Sequence, residues 1–146
     1  MKILNLNRAL ILSTALLLFS TLVHSETVVV IVIASAASPV SKLDKEQVAN
    51  LFLGKSSSYP DGSAAVPIEQ TDGSTAHEEF HKNVTEKSAS QLKSYWSKMI
   101  FSGKGTAPKE VANNTELLKL VAANPTMIGY VDKNALDKSV KVIFTP

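Results

Sequence analysis

The stretch TVVVIVIA, residues 27–34, is almost unbroken in β-branched side chains. Polar residues do not alternate with the apolar ones, so the pattern predicts a strand buried on both faces, not one with a solvated side. Such a strand needs helices packed above and below its sheet. That requirement points to an α/β fold with a parallel or mixed sheet.

Working outward, the chain supplies those helices and further strands in alternation. After a turn broken by Pro39, Asp44 caps a predicted helix over 45–52, with Val48, Leu51 and Phe52 on one face and Gly54 at its end. A polar loop, GKSSSYPDGS (54–63), leads to a short predicted strand, AVPIEQ (65–70), and the turn TDGS. The next helix is expected to begin at Ser74 or Thr75. Thr75 and Glu78 have capping-box spacing, and Phe80 and Val84 are its apolar positions. Leu92, Tyr95, Trp96, Met99 and Ile100 then follow helical spacing and predict one apolar stripe facing the core. FSGKGTAP (101–108) reads as a loop. A helix starting at Thr115 and stopping at Asn124–Pro125 precedes two last strands, MIGYV (127–131) and VKVIF (140–144).

At the N-terminus, Lys2 and Arg8 supply a positive region before an uncharged run, ALILSTALLLF (9–19), and Val23 and Ser25 suit a signal-peptidase site. The reading is a cleaved signal peptide over 1–25 and a single domain over 26–146, exported to the periplasm. The chain has no cysteine, which excludes both a lipobox and a disulfide framework. With Lys2 and Arg8 set aside, the 15 basic residues fall to thirteen lysines against 13 acids, and no arginine is left. A neutral domain without arginine is a poor fit to nucleic acid, where basic patches supply most of the affinity.

Several motifs invite a chemical reading. HEEFH (77–81) matches H-E-x-x-H, in which two histidines four apart share a zinc ion. A catalytic zinc needs a third protein ligand, however, and only Glu110 and Glu116 suggest themselves. With Phe80 taken as the apolar position, His77 and His81 are expected on the solvent side of their helix. The expectation is therefore of no metal, no cofactor and no catalysis. Tyr95 and Trp96 read as core, SGKGT (102–106) as a connecting loop lacking Walker spacing, and Tyr130 as either packed or placed near a site. The turn TDGST (71–75) offers small hydroxyl side chains and backbone N–H groups at a helix start, where an anion is favoured.

Four segments, SPVSKLDKEQVANLFLGK, VPIEQTDGSTAHEEF, YWSKMIFSGKG and VAANPTMIGYV, occur in an order that resembles the periplasmic phosphate-binding proteins of ABC-type uptake systems. The resemblance is greatest to small, single-lobe relatives and runs from about Ile31 to the C-terminus. It implies a mixed sheet flanked by helices, equivalent to one lobe of a type-II periplasmic-binding-protein fold. It also implies contacts to phosphate, or a similar small oxyanion, from Gln70, Asp72, Gly73, Ser74 and Thr75. Gln70 stands where the family carries an arginine, and the second glycine of the turn is missing. Partners implied are an ABC transporter permease or another envelope protein, and a homodimer would complete the half-cleft. A rival reading is an envelope assembly module with a decayed ligand site.

Overall fold

A computed structural model describes residues 27–146. The signal peptide expected over 1–25 lies outside the described residues. The β-branched run becomes β1 (Val30–Ser35), buried along its whole length. It sits inside a sheet of order β3–β2–β4–β1–β5, the others being β2 (Val66–Gln70), β3 (Lys109–Val111), β4 (Met127–Asp132) and β5 (Val140–Phe144). β1 is antiparallel to both neighbours, β4 and β5, whereas β2 runs parallel to β4 and to β3. The sheet is mixed, as expected.

Helices cover both faces, which is why β1 tolerates no polar alternation. On one face α1 (Lys45–Phe52) and α2 (Thr75–Phe80) bring Val48, Leu51, Phe52, Ala76 and Phe80 against Val30, Val32, Ile128 and Tyr130. On the other, α4 (Asn114–Ala123) brings Leu117, Leu118 and Val121 against Ile31, Ile33, Ile68 and Val131. Close approach of α4 requires Gly129, where an added Cβ would meet Leu117 Cδ2 at 2.5 Å and the Ile68 carbonyl at 3.3 Å. Successive residues of β1 and β4 therefore serve opposite layers, as pleating demands.

Helix boundaries follow their caps. Asp44 accepts from the Gln47 amide and forms a full capping box, so α1 starts where the sequence placed it. α2 is capped by Ser74, whose side chain accepts from the His77 N–H; the Thr75–Glu78 box expected from spacing does not form. α4 is capped by Asn113 and begins one residue before Thr115. β3 begins directly after the segment read as a loop, where the sequence pattern predicts no strand, and adds only three residues to the sheet edge.

The remaining helix, α3 (Ala89–Phe101), departs furthest from expectation. Leu92 and Trp96 are buried, but Ile100 is 55% exposed and Phe101 95%. The helix packs on the end of α1 instead of the sheet: Tyr95 Oη donates to the Leu53 carbonyl at 2.6 Å, and the Trp96 ring lies over Gly54. Only the part of the apolar stripe that reaches this contact is covered.

Candidate functional site

The chemistry of the described residues concentrates at the corner where β2 turns into α2. Strand pleating sends Ile68 and Gln70 toward α4 and the intervening Glu69 toward α2. Glu69 is 4% exposed, a burial that a carboxylate tolerates only with compensating partners. Its partners are the two histidines of HEEFH. His77 Nε2 lies 3.3 Å from Glu69 Oε2, and His81 Nε2 lies 3.2 Å from Glu69 Oε1.

These positions overturn the expectation that the histidines ride the solvent face. His77 is 5% exposed and His81 1%. The physical reason is the width of the buried stripe. Phe80 fills the aromatic layer, with its ring stacked 4.1 Å from Tyr130 and tilted 4.6 Å from Phe52. His77 and His81 flank Phe80 on the side toward β2, and their rings lie 4.5 Å apart. A charged residue at Glu69 gives that flank a polar partner to bury. Glu110 and Glu116, considered as third zinc ligands, do not join them; the carboxylate that does is on the preceding strand. Ligating atoms of Glu69, His77 and His81 lie within 4.8 Å of one another.

Beyond Phe80 the backbone widens into a π-helical turn, His81–Thr85, which ends at Glu86 in the left-handed region at φ 56°. Single π-turns of this kind are frequent at functional sites. The turn sets Thr85 beside His81. Thr85 Oγ1 lies 3.2 Å from the His81 carbonyl oxygen and 2.9 Å from His81 Nδ1. A hydroxyl has one proton to give, so Thr85 satisfies either the carbonyl or Nδ1 as donor, and the ring tautomer decides which. In both cases the contact holds the ring with Nε2 on the side of Glu69.

Burial pushes the Glu69 carboxyl up, but the contacts and charges of His77 and His81 outweigh it and hold it below its ordinary value. Burial likewise pushes His77 down, and Glu69, then Asp72 and Glu110, more than reverse this. Burial first, and the Glu69 charge second, raise the Tyr130 phenol far out of its ordinary range. Even so, Glu69 Oε1, His77 Nδ1 and His81 Nε2 are buried atoms without an aligned hydrogen bond.

The turn residues singled out for an oxyanion have different situations. Gln70 is 4% exposed, and its amide donates to Asn114 Oδ1 at 2.7 Å and to the Tyr130 carbonyl at 3.2 Å. It braces β2 against α4 and faces away from the α2 turn. Asp72 is exposed, 3.7 Å from His77 Nδ1, and its N–H donates to Glu110 Oε2 at 3.3 Å. Gly73, at φ 82°, has open space about it. Ser74 caps α2, and Thr75 is the first helical residue, its N–H one of those that a helix start leaves without an intrahelical acceptor. Asp72 to Thr75 thus share one surface, and Gln70 is separated from them.

Two adjoining clefts open on this corner. One, of about 440 Å³, is lined by His77, His81, Lys87 and Leu92; the other, of about 290 Å³, by Glu69, Asp72, His77, Trp96 and Glu110. Both lie between α2 and α3, and His77 borders each.

Comparison with solved structures gives the fold its relatives. An ABC-type phosphate transport receptor from Vibrio cholerae aligns over 80% of this chain with a TM-score of 0.62 at 17% identity. A phosphate ABC transporter substrate-binding protein from Clostridium perfringens, solved with bound phosphate, aligns over 80% with a TM-score of 0.64 at 19% identity. PstS from Borrelia burgdorferi aligns over 80% at 0.60 and 15%. The matches cover 45%, 44% and 46% of those chains, so this chain spans less than half their length and has the fold of one lobe. No family model and no curated protein sequence matches it.

Proposed function

We propose that this chain is a periplasmic, non-enzymatic solute-binding lobe that takes phosphate or a similar small oxyanion at the start of α2. The observation that carries the reading is position. The turn Asp72–Thr75 lies at the carboxyl end of β2, in the parallel part of the sheet, where open α/β sheets receive their ligands. There the Ser74 and Thr75 hydroxyls and the first α2 N–H groups supply donors, and Asp72 accepts from a protonated phosphate oxygen. Fold likeness to phosphate-binding lobes supports the choice of ligand. The absence of arginine among the described residues and the nearby carboxylates of Glu69, Asp72 and Glu110 argue for weak binding. Gln70, committed to Asn114, contributes by holding β2 in place.

A single lobe supplies one wall of a cleft. The exposed Ile100 and Phe101 at the end of α3 favour a second reading, in which another envelope protein, a transporter permease or a second copy covers that surface. Titration of phosphate into the chelator-treated protein, followed by calorimetry, tests the first reading. Saturable binding abolished in Ser74→Gly and retained in Phe101→Ser supports it. No heat at millimolar phosphate would set the oxyanion reading aside.

A further inference from the structure

We propose that Glu69, His77 and His81 form a binding site for a divalent transition-metal cation, with zinc the closest chemical match. The inference goes beyond the oxyanion reading and stands without it.

Two imidazole nitrogens and a carboxylate form a ligand set suited to zinc and its neighbours in the first transition row. Ligand atoms held tetrahedrally at about 2.1 Å from a zinc ion stand about 3.4 Å apart. His77 lies 3.3 Å from Glu69 Oε2 and His81 3.2 Å from Glu69 Oε1, and one ligand atom from each of the three residues falls within 4.8 Å of the others, so a cation would draw the set together by a modest contraction. All three side chains are at least nine-tenths buried, so the polypeptide has already desolvated them.

The strongest argument is a pair of orphaned atoms. Glu69 Oε1 and His81 Nε2 are buried 3.2 Å apart, yet neither has an aligned hydrogen-bond partner. Buried polar atoms left without partners are costly. A metal ion set off the line between them and coordinated by both satisfies the two at once. His81 Nδ1, on the far side of the ring, lies 2.9 Å from Thr85 Oγ1. Thr85 would then act as the outer partner that orients a metal-bound imidazole. The cleft bordered by His77 and His81 supplies an entry path. Three protein ligands leave a coordination position for a solvent or solute oxygen.

The test is zinc binding by the protein produced without a histidine tag, stripped with chelator and dialysed into phosphate-free buffer. Calorimetry and metal analysis are expected to give one zinc per chain, with binding lost in Glu69→Gln and in His81→Gln. Circular dichroism reports whether each variant has folded. Should either variant unfold, Thr85→Val decides, because loss of the outer partner weakens zinc about 10–100-fold. No stoichiometric zinc in the parent protein would overturn the proposal. So would unchanged affinity in a folded His81→Gln or Thr85→Val protein. Because phosphate is absent throughout, failure here leaves the oxyanion reading untouched, and the reverse holds for the phosphate titration.

Discussion

The two faces of one sheet have been built by different rules. Toward α4, the strands present Ile31, Ile33, Ile68 and Val131, and the helix answers with Leu117 and Val121. Gly129 lets the layers close to contact, and Gln70 is satisfied by Asn114 at the border. Toward α1 and α2, an aromatic layer of Phe52, Phe80 and Tyr130 gives way at its edge to Glu69, His77 and His81. The first face is apolar packing whose buried polar groups are hydrogen-bonded, Gln70 to Asn114 and the Ser35 hydroxyl to the Ala122 carbonyl. The second buries ionisable groups whose polar atoms are not all satisfied. Buried ionisable clusters that border a cleft are functional-site candidates, because they shift each other's protonation and can hold charged ligands. The difference teaches where to look, since both faces bury their strands equally well.

Predictions can break or sharpen this contrast, from the largest effect to the smallest. Phe80→Ala removes the centre of the aromatic layer and should cost about 3–5 kcal/mol, read by denaturant unfolding. Leu117→Ala on the opposite face should cost about 2–5 kcal/mol, so the two faces are expected to be similar in packing energy. A loss below 1 kcal/mol at either position would mean that face does not close as described. Gly129→Ala should destabilise by about 1–3 kcal/mol, because fully buried Leu117 and the Ile68 carbonyl leave no room for a Cβ.

A pH series separates the faces by kind. In chelator-treated protein, His77 is raised by its partners, so its contribution is full below its unfolded value and fades as pH rises through the folded one. Glu69 is lowered, so its contribution is full above its unfolded value and fades as pH falls through the folded one. The melting temperature should therefore peak between the carboxylate and imidazole ranges, at roughly pH 5–6, and Glu69→Gln should flatten that peak. The same profile in both proteins would show that the pair does not couple to folding. Gln70→Leu, on the α4 side, should leave the shape of the profile unchanged. The smallest effect is expected at Phe101, where serine should shift stability by no more than about 0.5 kcal/mol.

Much of this contrast was legible in the sequence, and the illegible part has a physical cause. The β-branched run at 27–34 announced a doubly covered sheet because a strand buried on both faces cannot alternate. Asp44 and the Val48–Leu51–Phe52 face placed α1 to the residue. The HEEFH spacing correctly put both histidines on one side of a helix. What periodicity does not give is how wide the buried stripe is, and treating Phe80 as its centre assigned the histidines to solvent. The signal was one strand away: an acidic residue, Glu69, in an apolar strand is unusual enough to demand a buried partner. Ile100 failed for the opposite reason, since helical spacing assumes a partner along the whole stripe and α3 meets only the end of α1.

Nitrogen-15 NMR of the histidine side chains tests the central claim most directly, in chelated protein and after one equivalent of zinc. The account predicts that the Nε2 resonances of His77 and His81 move to metal-bound positions on zinc addition, which leaves the His81 proton on Nδ1, beside Thr85. Both nitrogens of His81 protonated in the chelated protein, with no change on adding zinc, would show a salt-bridged core corner and contradict it.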